Sequence, residues 1–140
     1  MFKKMVFIDN PMYSRLAHTM LRVFFGMVLL NHGQDKLRKF SEYRIDFPDP
    51  LGIGSDLSLS LVVGSEFFGG LLILLGLVTR LASTAVLVTF AIAFFIFHQA
   101  DPFEVKELAS CYLVISAYFV LAGSGGMSLD NKFFKVRNEN

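Results

Sequence analysis

Glu66 carries the clearest chemical signal in this sequence, because it is the only charged side chain in the apolar stretch 57–78. About 20 apolar residues suffice to cross the hydrocarbon core of a bilayer as one helix. A carboxylate at that depth costs about 3 kcal/mol or more on insertion scales unless it is paired or faces an internal cavity. Glu66 is therefore predicted to belong to a functional site inside the membrane.

Further ionisable side chains are predicted to lie near the same side of the membrane as Glu66. They come from the ends of three other apolar stretches: His32, Lys36, His98 and Glu107. At a helical rise of about 1.5 Å per residue, Glu66 lies roughly 14 Å in from that side. The five groups are expected to converge in one half of the protein. Arg22 lies deeper, and the packing order of the helices decides whether it reaches Glu66.

Each of these residues also has an explanation that needs no chemistry. His32 and His98 stand at span ends, where an interfacial histidine is common, and Lys36 can extend along apolar surface to the lipid headgroups. Glu107 suits the first turn of a helix, where the dipole favours a carboxylate. Glu66 itself could be one half of a purely structural ion pair. Both interpretations stay open on the sequence alone.

Four apolar stretches determine the predicted architecture: 15–33, 57–78, 81–98 and 106–123. Because backbone groups cannot stay unpaired in lipid, each is predicted to form a helix. The fold class is thus all-α, a transmembrane four-helix bundle, in a single domain of residues 1–140. Thr79 and Arg80 are predicted to make the tight turn between the second and third spans. The first stretch lacks a small-residue cleavage site and is interpreted as a retained span.

The linker 34–56 is much longer than the others and mixes aromatic with charged residues. Phe40, Tyr43 and Phe47 give it the amphipathic character that favours the membrane interface. It is interpreted either as a lid over the bundle or as a solvated connector.

Helical periodicity predicts two faces that are turned toward protein. Arg22, Gly26 and Gly33 share one stripe of the first span, and Glu66 and Gly69 share one stripe of the second. Small residues on such stripes let neighbouring helices approach closely. A tight helix seam would explain the glycines, although it would not explain Glu66.

The composition narrows the functional classes. The chain has 140 residues, 54% of them hydrophobic, and a mean hydropathy of +0.53, which is typical of a membrane protein. With a net charge of +1 and scattered basic residues, no nucleic-acid partner is predicted. The single cysteine, Cys111, excludes an intramolecular disulfide and CxxC redox cycling. No helical HxxxH or ExxH spacing supports a metal site.

The expected location is the inner membrane, with several spans. More Lys and Arg residues lie on the side of the termini than on the other side, which favours cytoplasmic termini.

The sequence resembles the DoxX family of small bacterial four-helix membrane proteins, over about residues 15–130. The resemblance rests on several short motifs in order: His32-Gly33 with Lys36-Leu37, Gly64-Ser65-Glu66 with Gly69-Gly70, Leu74-Leu75-Gly76-Leu77 with Thr79-Arg80, His98, Glu107, and Gly123 to Asp130. The family commonly has Gly-Pro-Gly where this chain has Gly123-Ser124-Gly125. Ser128 or Asp130 is expected to cap a short interfacial helix that contains Phe133 and Phe134.

The resemblance implies a role in redox chemistry at the membrane, since the family is similar to subunits that accompany quinone-linked oxidoreductases. The first hypothesis is a membrane subunit of a redox system that binds a quinone or a similar apolar molecule inside the bundle. No covalently bound cofactor is expected, and a partner oxidoreductase subunit would supply electrons. Alone, the chain would be at most a non-catalytic or quinone-interacting subunit.

The first hypothesis gives the polar residues specific roles. Glu66 would accept or donate a proton, since burial disfavours its charged form, and His32 or His98 would relay that proton. Lys36 and Arg80 would hold an anionic headgroup or a carbonyl. Glu107 and Arg22 are further candidate ligand-binding residues.

Two other hypotheses come from different functional classes. The chain could be a non-enzymatic anchor or assembly partner of a redox or stress-response protein. It could also be a small-solute transporter, which would need a homo-oligomer, because four spans are few for transport. Membrane lipid is an expected partner in every case.

Overall fold

The computed structural model describes residues 11–134 and contains helices and loops, without a strand in that range. The helices are α1 (Pro11–Arg38), α2 (Phe40–Asp46), α3 (Ser55–Leu75), α4 (Thr79–Phe97), α5 (Phe103–Ala122) and α6 (Leu129–Phe134). Helices α1, α3, α4 and α5 pack as an antiparallel bundle, while α2 and α6 are short. The predicted all-α four-helix bundle is therefore confirmed.

Three of the long helices, α3, α4 and α5, are long and apolar enough to cross a membrane. Helix α1 is more polar, yet Met20, Phe24 and Met27 form exposed positions on it while Arg22 is buried. An apolar outer surface with a polar side chain inside is the pattern expected for a helix in lipid. The first predicted span, 15–33, lies within α1.

The ends of the elements differ from the predicted ones at two places. The linker 34–56 contains the last residues of α1, the whole of α2 and the first two residues of α3, so that its longest stretch outside a helix is 47–54. The turn between α3 and α4 is 76–78, and Thr79 and Arg80 already belong to α4, which corrects the predicted turn. Gly76 ends α3 in the left-handed conformation at φ +68°, which glycine adopts without a steric penalty.

Close packing between α1 and α3 depends on glycine, as the stripe of α1 predicted. Gly69, on the predicted stripe of α3, instead faces Val86 and Ala82 of α4. A methyl group added at Gly26 would lie 2.6 Å from the backbone nitrogen of Leu74, and one at Gly33 would overlap Phe67. The two helices thus approach backbone to backbone. This approach brings the end of α1 next to the middle of α3, where Glu66 lies.

We call the end of the bundle that holds 76–80 and 121–134 the tail end. The guanidinium of Arg22 donates hydrogen bonds there to the carbonyl oxygens of Ile73 (2.8 Å), Leu74 (2.7 Å) and Met127 (2.7 Å). The first two are among the last carbonyls of α3, where the regular helical hydrogen bonds end, and the carbonyl of Ile73 also accepts one from the N–H of Gly76 (3.0 Å). Arg22 therefore joins α1, the end of α3 and the tail.

Two tail residues cap helices, and they cap different ones. Ser128 accepts a hydrogen bond from the backbone N–H of Asn131 (3.2 Å) at the start of α6. Asp130 instead accepts from the N–H groups of Val78 (2.8 Å) and Thr79 (3.4 Å), at the start of α4. Of the two residues expected to cap the short helix, Ser128 does so, and Asp130 holds the tail against the turn.

Candidate functional site

The centre of the site is an ion pair between Lys36 of α1 and Glu66 of α3. The Lys36 Nζ lies 2.5 Å from the Glu66 Oε2, and the two side chains are 23% and 5% exposed. Since an unpaired charge would be very costly in this position, the pair explains how Glu66 is tolerated there. The expectation that Glu66 points into the bundle, and not into lipid, is confirmed.

Glu66 lies in a stretch of α3 where the helix widens. Gly64–Phe68 forms one π-helical turn, and its hydrogen bonds span one residue more than those of an α-helix. A second π-helical turn, Ala93–Phe97, lies in α4. Such turns shift the side chains that follow them around the helix axis and are frequent at functional sites.

Both π-helical turns border the same apolar cavity, of about 300 Å³. Its walls come from α3, α4 and the loop 47–54, and they are mostly apolar: Phe47, Pro48, Pro50, Leu51, Ile53, Leu61, Val62, Phe90, Ile92, Ala93 and Phe97. Lys36, Glu66, Thr89 and His98 supply polar groups, together with Ser58. A largely apolar enclosure with a few convergent polar groups is the usual form of a small-molecule site.

The loop 47–54 covers the cavity and is held by one carboxylate. Asp49 accepts hydrogen bonds from the N–H groups of Gly54 (2.7 Å) and Ile53 (3.0 Å) and from the hydroxyl of Ser58 (2.9 Å). The Gly54 bond is the main reason why the pKa of Asp49 lies below its ordinary value. Because residues of the loop 47–54 line the cavity, we call this loop the lid.

A second, more polar cavity of about 690 Å³ lies beside the first, and we call it the vestibule. It is lined by residues of α1, α2 and the start of the lid: Asn31, His32, Asp35, Lys36, Glu42, Tyr43, Asp46, Phe47 and Pro48. His32 lines the vestibule, and its ring meets the ring of Tyr112 edge-on at 5.8 Å. Lys36 borders both cavities.

His98 borders the apolar cavity from the end of α4. Its Nδ1 lies 2.7 Å from a carboxylate oxygen of Asp101, in the short loop after α4. His32 and His98 therefore line different cavities.

Three of the predicted ligand-binding residues lie away from Glu66. Arg22 binds backbone carbonyls at the tail end, and Arg80 donates to the carbonyl of Leu121 (3.1 Å) at the same end. The side chain of Glu107 is exposed on the first part of α5. Arg80 and Lys36 thus cannot hold one small ligand together, since about 15 Å of helix α3 separates Glu66 from its end.

The family model named DoxX matches residues 17–99. The chain belongs to the DoxX family. An uncharacterized protein of Haemophilus influenzae is 35% identical over 122 residues, which covers 82% of this chain and 89% of that relative. A second uncharacterized protein of that organism is 26% identical over 131 residues, covering 88% of this chain and 87% of the relative. No solved structure matches the chain.

The DoxX match ends within the loop after α4, so it includes both cavities and leaves out α5 and the tail. Membership of the family supports an integral membrane protein, as do the apolar helices. Among residues 11–134 there is no group of three or more His, Cys, Asp or Glu side chains that could hold a metal ion.

Two residues of this DoxX site, Thr89 and Asp49, were not predicted from the sequence. Thr89 lies 2.8 Å from the hydroxyl of Ser65 and borders the cavity, yet it looks like any threonine in an apolar helix. Asp49 lies between Pro48 and Pro50 in the linker 34–56. Its hydrogen bonds to Ile53 and Gly54, four and five residues ahead, match an aspartate that organises a turn, and that pattern could have identified it.

Proposed function

We propose that this DoxX protein is a membrane subunit of a redox system that binds a quinone-like molecule in its apolar cavity. The observation that carries the proposal is the position of the Lys36–Glu66 pair in the wall of a cavity that is otherwise mostly apolar. An apolar molecule with a carbonyl or hydroxyl head would satisfy both parts of such a cavity. A quinone is the redox carrier of that description which dissolves in lipid.

The two members of the pair offer complementary hydrogen bonding. The Lys36 ammonium is a donor only, and an ionised Glu66 is an acceptor only. A quinone carbonyl would accept a hydrogen bond from Lys36, and the hydroxyl of a quinol would donate one to Glu66. The same pair would therefore bind the oxidised and the reduced head group.

The rim of the cavity supports entry from the lipid. Leu61 of α3 and Phe97 of α4 border the cavity and are 56% and 48% exposed on helices that span the membrane. An apolar tail could lie between these two helices while the head reaches Glu66. The cavity volume of about 300 Å³ is at the lower end of the range for small-molecule sites, which suits a head group with its tail outside.

The first test is to identify the apolar molecules that the protein retains after gentle purification from native membranes. The proposal expects a quinone in near-stoichiometric amount. Ala93 lines the cavity, so Ala93→Leu should fill part of it and lower the retained amount several-fold. Ala85→Leu adds the same atoms at an exposed position of the same helix and should retain as much as the wild type.

Equal retention by the two variants, or a protein partner with no apolar molecule, would exclude the proposed ligand and favour the anchoring role. A second test concerns the proton role of Glu66. Electron transfer to quinone in the complex with the partner subunit should be lost in Glu66→Gln, which keeps the shape and removes the charge. Retained transfer would leave Glu66 with a structural role only.

A further inference from the structure

The vestibule and the apolar cavity are separate spaces with a common wall. Lys36, Phe47 and Pro48 line both of them. Phe47 and Pro48 are the beginning of the lid and have no side-chain group that titrates. Lys36 is therefore the one ionisable side chain in the shared wall.

The two spaces differ in chemistry. Apart from the shared wall, the vestibule is lined by polar side chains, including Asp35, Glu42 and Asp46, whereas the cavity is mostly apolar. The vestibule is large enough for many water molecules, each of which takes about 30 Å³ in the liquid. Water molecules would find hydrogen-bond partners in the walls of the vestibule, whereas the walls of the apolar cavity offer few.

The two side chains of the ion pair differ in exposure in the same way as the two spaces differ in polarity. Lys36 borders the vestibule and is 23% exposed, while Glu66 borders only the apolar cavity and is 5% exposed. His98 also borders only the apolar cavity. Glu66 thus meets the polar space through Lys36.

We propose that the vestibule is the aqueous entrance to the Lys36–Glu66 pair and that protons reach the ligand cavity through the amine of Lys36. The ammonium gives one proton to Glu66 or to the oxygen of a quinone that the partner oxidoreductase subunit has reduced, and the neutral amine takes one proton back from a hydronium ion in the vestibule, which leaves water. Each transfer moves one proton and one positive charge, and the electrons come from the partner subunit. This inference rests on the proposed function for its ligand, although the aqueous entrance itself does not need one.

Thiol labelling in lipid nanodiscs tests the entrance directly. The native Cys111 is exposed and is first removed as Cys111→Ser. Three reporters are then compared: Asp46→Cys in the vestibule, Val62→Cys in the cavity, and Lys36→Cys in the shared wall. Lys36→Cys is combined with Glu66→Gln, so that no buried carboxylate is left without its partner.

The probe is a methanethiosulfonate reagent with a permanent positive charge, which enters water-filled spaces and avoids apolar ones. Asp46→Cys and the Lys36→Cys double variant should react at similar rates. Val62→Cys should react at least about tenfold more slowly, because apolar surroundings also suppress the reactive thiolate. A Lys36→Cys rate as slow as that of Val62→Cys would overturn the aqueous entrance.

A separate measurement tests the proposed ligand independently of the aqueous entrance. Decylubiquinone should protect Val62→Cys from N-ethylmaleimide, a small uncharged reagent, and should leave Asp46→Cys unprotected. Absence of this protection would count against the ligand. The rate of the Lys36→Cys double variant with the charged reagent decides the entrance in either case.

Discussion

Replacing Lys36 by Met should destabilise the protein far more than replacing Lys39 by Met. The two lysines lie three residues apart, and each forms an ion pair. Lys36 pairs with Glu66 at 2.5 Å, with side chains 23% and 5% exposed, whereas Lys39 pairs with Asp35 at 3.0 Å, with side chains 48% and 54% exposed. Both substitutions replace a lysine by a methionine, so the two variants differ in how deeply the ion pair is buried.

The expected magnitude follows from the carboxylate that remains. Removing one partner of a buried ion pair costs about 3–5 kcal/mol, because the other charge stays buried without compensation. Lys36 is partly exposed, so water can replace some of its interaction, and we expect the lower end of that range. A loss of about 3 kcal/mol corresponds to roughly a hundredfold change in the unfolding equilibrium. Lys39→Met should leave stability unchanged within error, since water solvates Asp35 in either case.

The assay is reversible unfolding of both variants in the same bicelles, with Glu66→Gln and the Lys36→Met/Glu66→Gln double variant beside them. The double variant should be more stable than Lys36→Met alone, because it has no buried charge. Equal losses for Lys36→Met and Lys39→Met would refute the reasoning. Strictly additive effects in the double variant would refute it as well, since they would mean that the two side chains do not interact.

Three further predictions concern parts of the structure that position the site. Arg22→Met should lower the free energy of unfolding by about 3 kcal/mol or more, because three hydrogen bonds from a charged group are lost, and Arg22→Lys should recover only part of this loss. Gly26→Ala should destabilise by about 1–3 kcal/mol through the clash with Leu74, whereas Gly64→Ala, with nothing within 4 Å of the new methyl group, should be neutral or slightly stabilising in the same unfolding assay. Asp49 has a lowered pKa, so its stabilising effect is present above the ordinary value of 3.8 and is lost as the pH falls through the folded value. The thermal midpoint of the wild type should therefore fall toward that of Asp49→Asn in acid, and parallel midpoints at all pH values would contradict the role of the carboxylate.

The sequence predicted the parts of the fold that depend on periodicity and on the cost of burying charge. All four spans were predicted as apolar stretches, and three of the resulting helices are long and apolar enough to cross a membrane. The burial of Glu66 followed from its position within one of these stretches. The glycine stripe of α1 predicted the close approach to α3, which Gly26 and Gly33 show. These features depend on local composition, so a single sequence is enough to predict them.

The π-helical turns could not be predicted in this way. The stretches Gly64–Phe68 and Ala93–Phe97 are as apolar as their flanks, apart from Glu66, and helical periodicity continues on either side of them. Their consequence is geometric, because each widened turn moves the following side chains relative to a regular helix. Residues of both turns line the cavity between α3 and α4, and neither the position of this cavity nor Thr89 as a lining residue could be predicted from the helical pattern.

Two basic residues of α1 show a different limit of sequence reasoning. Arg22 and Lys36 both look like charges on one helix stripe, separated by four turns, and either could have been the partner of Glu66. Antiparallel packing decided the matter, because it places Gly33 against Phe67 and Gly26 against Leu74. Lys36 is thereby level with Glu66, and Arg22 is level with the end of α3, where it donates to the carbonyls of Ile73 and Leu74. The register of the two helices cannot be predicted from a single sequence. It places Lys36 in the site and Arg22 at the tail end.

That assignment gives the two ends of the bundle different mechanical properties. At the tail end, Arg22 and Asp130 join three segments through hydrogen bonds to backbone groups, and such bonds hold the helices in fixed register. At the other end, the lid is held mainly through Asp49 and covers a cavity instead of a packed core. Under the proposed function, a ligand that enters between α3 and α4 would need the end with the lid to open while the tail end stays closed. Variants at Arg22 should therefore act through stability, and variants at Asp49 should change the rate at which decylubiquinone enters and leaves; an Asp49→Asn protein with unchanged exchange rates would show that the loop is not the barrier.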